Sequence, residues 1–321
     1  MDRLAAMQTF VEIVERGSLT AAADSLGRSQ PSIVRTLAAL EKHLGTMLLR
    51  RTTRRMSLTP EGQDFLERCR RILADVGDAE RAVLQRDVEP RGKLRMTAPV
   101  QFGQLHLVPV IAEFLQRYEQ AGVDLLLLDR NVDLVEEGID LALRIGKLAD
   151  SSMIAIRVGE LRRVTVASGA LLERTGIPRS PQELSTLPCI RQQSIPRAET
   201  SWPFRVDGKA LNIDIDGRFG VNQIAAAATA CVNGVGFGQF LSYQVQDLVR
   251  QQKLQIVLQD FEPERRPVSL VYPGGRLVSA RLASLIQWLK DALPERGIFS
   301  SDSEARQRHC SRSVRTLFTP S

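Results

Sequence analysis

The sequence predicts a small helical module bearing a hairpin, then one long helix, then an α/β body of two lobes. Three observations predict it. Two short helical patterns meet at a glycine turn before residue 58, an apolar repeat with no proline inside runs from just after Pro60 to about residue 86, and strand and helix patterns alternate from 91 to 295. At 321 residues, 43% hydrophobic and 25% charged, the chain has room for a full core and about two domains. That composition excludes disorder, collagen and a disulfide miniprotein.

The first helix carries Leu4, Met7, Phe10, Val11 and Val14 at helical spacing and stops at Gly17. Ser18 is placed to cap a short second helix, Leu19 to Leu26, whose alanines permit a close crossing, and Gly27 ends it. Ser29 is placed to cap a third helix with Pro31 in its first turn and Ile33, Leu37, Leu40 and Leu44 as the buried stripe. Two helices joined by a tight glycine turn make a helix-turn-helix.

The opposite face of the third helix offers Ser29, Gln30, Ser32 and Arg35. In a major groove, Gln pairs bidentately with adenine, Arg with guanine, and hydroxyls bond bases or phosphates. Residues 47–58 then read as two apolar runs around a basic turn, a hairpin wing with Arg54 and Arg55 at its tip for the minor groove or phosphate. Residues 1–58 hold nine basic against five acidic residues, or +4, while 59–90 carry −3 and 296–321 carry +3. The alternative is a three-helix domain with a basic surface.

Thr59 caps, Pro60 begins and Glu61 complements the dipole of the long helix. Phe65, Cys69, Ile72, Val76, Ala79 and Val83 form a heptad seam. A helix of about 40 Å exceeds what a three-helix module needs for its core, so its partner is expected to be a second copy of the chain. The competing expectation is that the stripe packs on the protein's own body.

In the body, 94–98, 123–128, 141–145, 163–168, 234–238 and 267–272 read as strands. The 123–128 run is continuously apolar, as in a strand covered on both faces. Helices are expected at 105–118, 134–138, 221–233 and 279–293, giving a parallel, doubly wound sheet in each of two lobes. Ligands bind such sheets beyond the carboxyl ends of strands, where helix N-termini present free N–H groups. The turn Thr97, Ala98, Pro99, Val100, Gln101, Phe102 is one such place, and Asn222 begins another. Arg144, two residues before Gly146 at its strand end, is placed to hold a carboxylate, with Phe102 and Phe237 as an apolar wall. The competing roles are caps for Thr97 and Asn222, an ion pair with Asp140 for Arg144, and core for both phenylalanines. The expected ligand is a small anionic or aromatic metabolite.

The run Ala22-Ala23-Asp24-Ser25-Leu26-Gly27-Arg28-Ser29-Gln30-Pro31-Ser32-Ile33-Val34-Arg35, then Leu40-Glu41, Leu44-Gly45, Arg51-Thr52-Thr53-Arg54-Arg55 and Leu58-Thr59-Pro60-Glu61-Gly62, resembles the winged helix-turn-helix of LysR-type transcriptional regulators. Residues 94–99, 133–146 and 150–152 resemble their effector-binding domain, so the resemblance covers about residues 2–294. It implies an N-terminal all-α winged helix-turn-helix with a long linker helix, followed by a periplasmic-binding-protein-like α/β domain of two lobes with an effector between them. The parts are 1–59, 60–88 and 91–295, with lobe I at about 91–162 and 267–295 and lobe II at about 163–266. The resemblance further implies base or backbone contacts by Gln30, Pro31 and Arg35, phosphate contact by Ser18 or Ser32, minor-groove contact by Arg54, and tetramers beyond the dimer. Val34 stands where members commonly have Ser and offers only an apolar contact.

The expected protein is thus a sequence-specific, effector-controlled DNA-binding regulator, at least a homodimer, with double-stranded DNA and RNA polymerase as partners, no membrane and no cofactor. The alternative is a two-lobed solute-binding or enzymatic protein with a non-DNA-binding dimerisation module. No run of 18 apolar residues and no signal-peptide pattern occurs, which places it in the cytoplasm. Four scattered cysteines and three scattered histidines give no disulfide framework, zinc site or catalytic triad. Gly234-x-Gly236-x-Gly238 follows a helix and opens a strand, the reverse of a dinucleotide fingerprint. The Ser- and Arg-rich segment 300–321, within a basic tail from 296, is expected to be disordered.

Overall fold

The computed structural model describes residues 1–51, 56–83, 89–148, 152–194, 197–198, 200–274 and 278–299. Arg54 and Arg55 at the expected wing tip, the final turn of the connector beyond Val83, and the tail from 300 lie outside the described residues. The chain divides into two compact units, Met1–Glu89 and a second beginning at Pro90.

The first unit contains α1 (Arg3–Arg16), α2 (Leu19–Ser25), α3 (Gln30–Leu44), β1 (Leu49–Arg51), β2 (Met56–Leu58) and α4 (Pro60–Val83). Gly17 ends α1 in the left-handed region at φ 68°, which only glycine adopts without strain. Ser18 caps α2 through a bond from the Ala21 N–H. The core joins Phe10 and Ile13 to Ala22, Ile33, Leu37, Leu40, Leu48 and Leu66. Two apolar expectations shift: Leu4 and Leu44, at 42% and 38% exposed, lie outside this core, while Ala6 and Ile13 join Phe10 and Val11 on the buried face of α1, with Met7 and Val14 packed at its edge. β1 and β2 pair antiparallel, Leu49 opposite Leu58, as a wing requires. α4 starts against that wing so closely that a Cβ on Gly62 would meet the Leu48 carbonyl oxygen at 2.0 Å.

The second unit opens with β3 (Gly92–Ala98), α5 (Val100–Phe102), a π-helical turn (Gly103–Leu107), α6 (Val108–Arg117), β4 (Ala121–Leu127), β5 (Leu141–Ile145) and β6 (Met153–Leu161). It continues through β7 (Arg163–Ala167), α7 (Gly169–Thr175), β8 (Ile190–Ser194), β9 (Arg197–Ala198), β10 (Ser201–Val206), β11 (Lys209–Asp214), β12 (Phe219–Val221) and α8 (Ile224–Val232). β13 (Gly238–Leu241), α9 (Ser242–Arg250), β14 (Gln255–Val257), β15 (Arg266–Pro273) and α10 (Ala280–Glu295) complete it.

Lobe I holds a five-stranded sheet in the order β4-β3-β5-β15-β6. It is mixed, correcting the all-parallel expectation: β3 runs parallel to β4 and β5, and the returning β15 runs antiparallel to β5 and β6. α6 and α10 cover one face around Phe114, Leu141, Leu285 and Leu289. β4 is an edge strand, and its apolar run is half-buried rather than covered on both faces. Residues 134–138 form a turn rather than a helix, because Asp133 Oδ1 takes the N–H groups of Val135 and Glu136 and five residues are too few to nucleate a helix. Lobe II is built from the antiparallel β13-β7-β14 sheet, the β12-β8-β9 sheet and the β10-β11 hairpin. The parallel expectation holds here only for β12 beside β8, since β13 and β14 run antiparallel to β7, and β6, β8, β9, β10 and β11 are strands beyond those expected. In the segment 234–237 only Phe237 pairs, in an isolated parallel bridge with Cys189, and the strand begins at Gly238.

Candidate nucleic-acid interface and ligand cavities

The stripe Ile33, Leu37 and Leu40 is buried, which turns the opposite face of α3 outward. Ser29, Gln30, Pro31 and Arg35 are exposed there, with Ser32 and Val34 half-buried beside them. Ser29 occupies the N-cap but makes no side-chain capping bond, correcting that expectation. Arg35 Nε donates to the Pro31 carbonyl at 3.4 Å, so its guanidinium lies along the first turn. The sequence assigns Glu41 no role beyond its place in the family motif. Its carboxylate accepts from the Leu48 and Leu49 N–H groups, tying the wing to the end of α3. The available signal was an acid in the last turn of a helix, where the dipole disfavours it unless it has another partner.

α4 corrects half of the heptad reading. Cys69 is fully buried in the first unit's core, and Phe65 packs on that core with its ring 5.8 Å from Phe10. Arg70 pairs with Glu15 on α1 at 2.9 Å. The lower seam therefore serves the first unit's own core, which neither the second-copy expectation nor the body-packing one foresees, while Ile72 is exposed and Val76 half-buried. The side chains of Ala79 and Val83 lie outside the described residues.

The expected ligand residues divide between two cavities and the core. A cavity of about 580 Å³ in lobe I lies beyond the strand ends, lined by Pro99, Asn131, Arg144, Gly146, Met153 and Val271 among others. Arg144 donates to Asn131 Oδ1 at 3.2 Å and to the Val132 carbonyl at 3.1 Å, both neutral acceptors. Asp140, the acid expected beside it, accepts the Arg95 N–H. Burial pulls the Arg144 pKa below its usual value, the mark of a cation held in a poorly solvated place.

Gln101 lines a different cavity of about 410 Å³, between the start of the lobe I helix and α8 and α9 of lobe II. The other expected contacts are corrected. Phe102 and Phe237 are fully buried in separate cores and form no wall. Thr97 is 1% exposed and caps nothing, and Ala98 is core. The Val100 N–H, expected to be free for an anion, donates to Asp129 Oδ1 at 3.0 Å. Asn222 is exposed two residues before α8, whose N-cap is Gln223.

Residues 4–63 match the family model for the bacterial regulatory helix-turn-helix protein, lysR family, and residues 88–294 match the LysR substrate binding domain. The chain belongs to the LysR family of transcriptional regulators. It is a DNA-binding regulator with an effector-binding domain, which removes the alternative of a merely dimerising N-terminal module. Among LysR-type relatives, it is 32% identical to an HTH-type transcriptional repressor of Pseudomonas aeruginosa, over 92% of this chain and 93% of that protein. It is 29% identical to the HTH-type transcriptional activator AaeR of Escherichia coli, over 95% and 99%. CrgA, a LysR-type regulator from Neisseria meningitidis, matches its fold at a TM-score of 0.58 and 29% identity, covering 90% of this chain and 98% of CrgA. Among the described residues of this LysR-type chain, no helix is long and apolar enough to cross a membrane.

Proposed function

We propose that residues 1–59 of this LysR-type regulator read a two-fold-symmetric DNA site, each copy laying the first turn of α3 in a major groove. Gln30 and Arg35 contact base edges, Pro31 and Val34 make apolar contacts, and Ser18, Ser29 and Ser32 bond phosphate. Arg54 and Arg55 enter the minor groove. The observation that carries this reading is the exposure of Gln30, Pro31 and Arg35 on the face opposite the Ile33, Leu37, Leu40 stripe.

The remainder of α4, residues 60–88, joins two copies, and dimers of dimers follow from a second interface. Residues 91–295 bind the effector, with lobe I at about 91–162 and 267–295 and lobe II at about 163–266. The effector is anionic rather than aromatic: the Arg144 guanidinium donates to two neutral acceptors on the cavity wall, with the Glu137 charge acting on it, whereas Phe102 and Phe237 are core. It controls transcription by binding one arrangement of the oligomer more tightly than another. The regulator acts in the cytoplasm, meets RNA polymerase at its site, and works by binding without a chemical step.

Footprinting the full-length protein on DNA flanking its own gene, with graded salt and a panel of small carboxylates, tests this. A protected dyad whose affinity falls steeply with salt, and whose protection pattern responds to a carboxylate, is expected. Equal binding to unrelated DNA contradicts the DNA reading, and indifference of the Arg144→Met variant's carboxylate response contradicts the effector reading.

A further inference from the structure

Beyond α10 the chain turns back onto lobe I. Arg296 pairs with Glu113 on α6, and Gly297 takes the backbone through the left-handed region at φ 63°, its N–H on the Pro294 carbonyl at 3.2 Å. Ile298 is then 6% exposed in the lobe I core. The Phe299 ring lies on β6, so close that a Cβ on Gly159 would meet its Cγ at 2.3 Å. The ring therefore needs a glycine beneath it.

The other side of this segment faces lobe II across a gap. A cavity of about 220 Å³ separates Ile298 and Phe299 from Val164 of β7, Val245 and Val249 of α9, and Ile256 of β14. A void between apolar walls forfeits dispersion contacts that a closer approach recovers. The void also sits beside the two crossings between the lobes. Arg162, in the first crossing and on the cavity wall, donates at 2.8 and 2.5 Å to the Glu262 carboxylate in the second, and its carbonyl accepts the Ser242 N–H at 2.9 Å. These bonds join both crossings and the start of α9 into one pivot, and Tyr243 anchors that start in the lobe I core. Val245 and Val249 lie farther along α9, so a turn of lobe II about the pivot carries them toward Phe299 or away from it.

We propose that Gly297–Phe299 is a strap that limits the rotation of lobe II: the Phe299 ring is the stop against which α9 and β14 come to rest, and the cavity is the travel left before they reach it. Removing the ring lengthens that travel, and filling the cavity abolishes it. Packed bodies with a void between them take discrete arrangements rather than deforming continuously. The strap biases which arrangement is populated without touching the Arg144 cavity, which none of its residues lines. Its consequence for transcription rests on the reading that the effector favours one arrangement over another.

Spin labels at the exposed positions Glu119→Cys in lobe I and Lys209→Cys in lobe II, in full-length Cys310→Ser protein diluted into unlabelled copies, report the interlobe distance with no effector present. Phe299→Ala, and Gly159→Ala, whose methyl displaces the ring, are each expected to broaden the distance distribution and add a population absent from the wild type. Val249→Trp, which fills the cavity, is expected to narrow it. A merely structural ring lowers the thermal midpoint and leaves the distances alone. An unchanged distribution in both Phe299→Ala and Gly159→Ala therefore overturns the proposal, as does broadening by Val249→Trp. Gly159→Ala decides should Phe299→Ala not fold. Because no carboxylate enters the measurement, failure of the strap and failure of the effector reading are told apart.

Discussion

Glu41 accepts the backbone N–H of Leu48 at 2.9 Å, so the last turn of α3 and the first strand of the wing are held by one carboxylate. The same oxygen takes the Leu49 N–H at 3.2 Å. Glu41→Ala leaves two amide donors without that acceptor and is expected to destabilise the first unit by about 1–3 kcal/mol. Glu41→Gln, which keeps a neutral acceptor, is expected to lose less. Urea unfolding measures both, and an unchanged midpoint for Glu41→Ala contradicts the assigned role.

The division of α4 between core and open face predicts opposite outcomes for two neighbouring positions. Phe65→Ala removes a ring packed on Phe10 and is expected to lower stability by about 2–4 kcal/mol while leaving self-association intact. Ile72→Asp, on the exposed side, is expected to leave stability within about 0.5 kcal/mol and to weaken the dimer. Sedimentation and denaturant titration read the two effects, and dissociation caused by Phe65→Ala alone reverses the assignment.

His106 sits edge-on to Phe102 and Tyr243, with ring centroids at 5.2 and 5.4 Å. Burial lowers its pKa, with Arg296 acting in the same direction and Asp247 opposing. The folded protein therefore binds this proton more weakly than the unfolded chain. The stabilisation is fully present above the ordinary value of 6.5 and is lost as pH falls through the lowered one. The second unit's thermal midpoint is expected to fall between pH 7 and pH 5, and His106→Leu to flatten that fall. An identical pH profile in the variant contradicts it.

Burial pushes the Cys69 thiol up to about 11, and the Cys189 and Cys231 thiols to about 12. The thiolate is the nucleophile, so at pH 8 these three are expected to react with an aromatic disulfide only as fast as the protein opens. Their contribution to stability is present below the ordinary value near 9.0 and is lost as pH rises toward 11–12. Thiol titration of a Cys310→Ser variant checks this, and rapid labelling of any of the three in the native protein contradicts it.

How much could be read in advance follows from how local each signal was. Helix ends at Gly17 and Ser18 depend on residues within one turn and were legible, as was the buried stripe of α3. β4 was misread because an apolar run reports hydrophobicity but not strand order, and its place at the sheet edge is decided by pairing with β3. Phe65 and Cys69 fit a heptad seam equally well whether their partner is a second chain or α1, and only tertiary packing separates the two. The expected ligand residues fall in one group because 97–102 reads as a strand-to-helix turn. The structure sorted them: Ala98 and Phe102 into the core, and Pro99 and Gln101 into different cavities. Gln244 carries no signal, since its carbonyl meets Gln101, more than a hundred residues away in sequence.

The outward face of α3 is the central claim, and base discrimination measures it most directly. Fluorescence anisotropy of the wild type, Gln30→Ala and Arg35→Ala on the footprinted site and on a scrambled duplex at fixed salt gives the specificity ratio. Each substitution is expected to cost about 1–3 kcal/mol on the specific site and to change scrambled-duplex binding far less, so the ratio falls. An undiminished ratio in both variants contradicts the reading of DNA by this face.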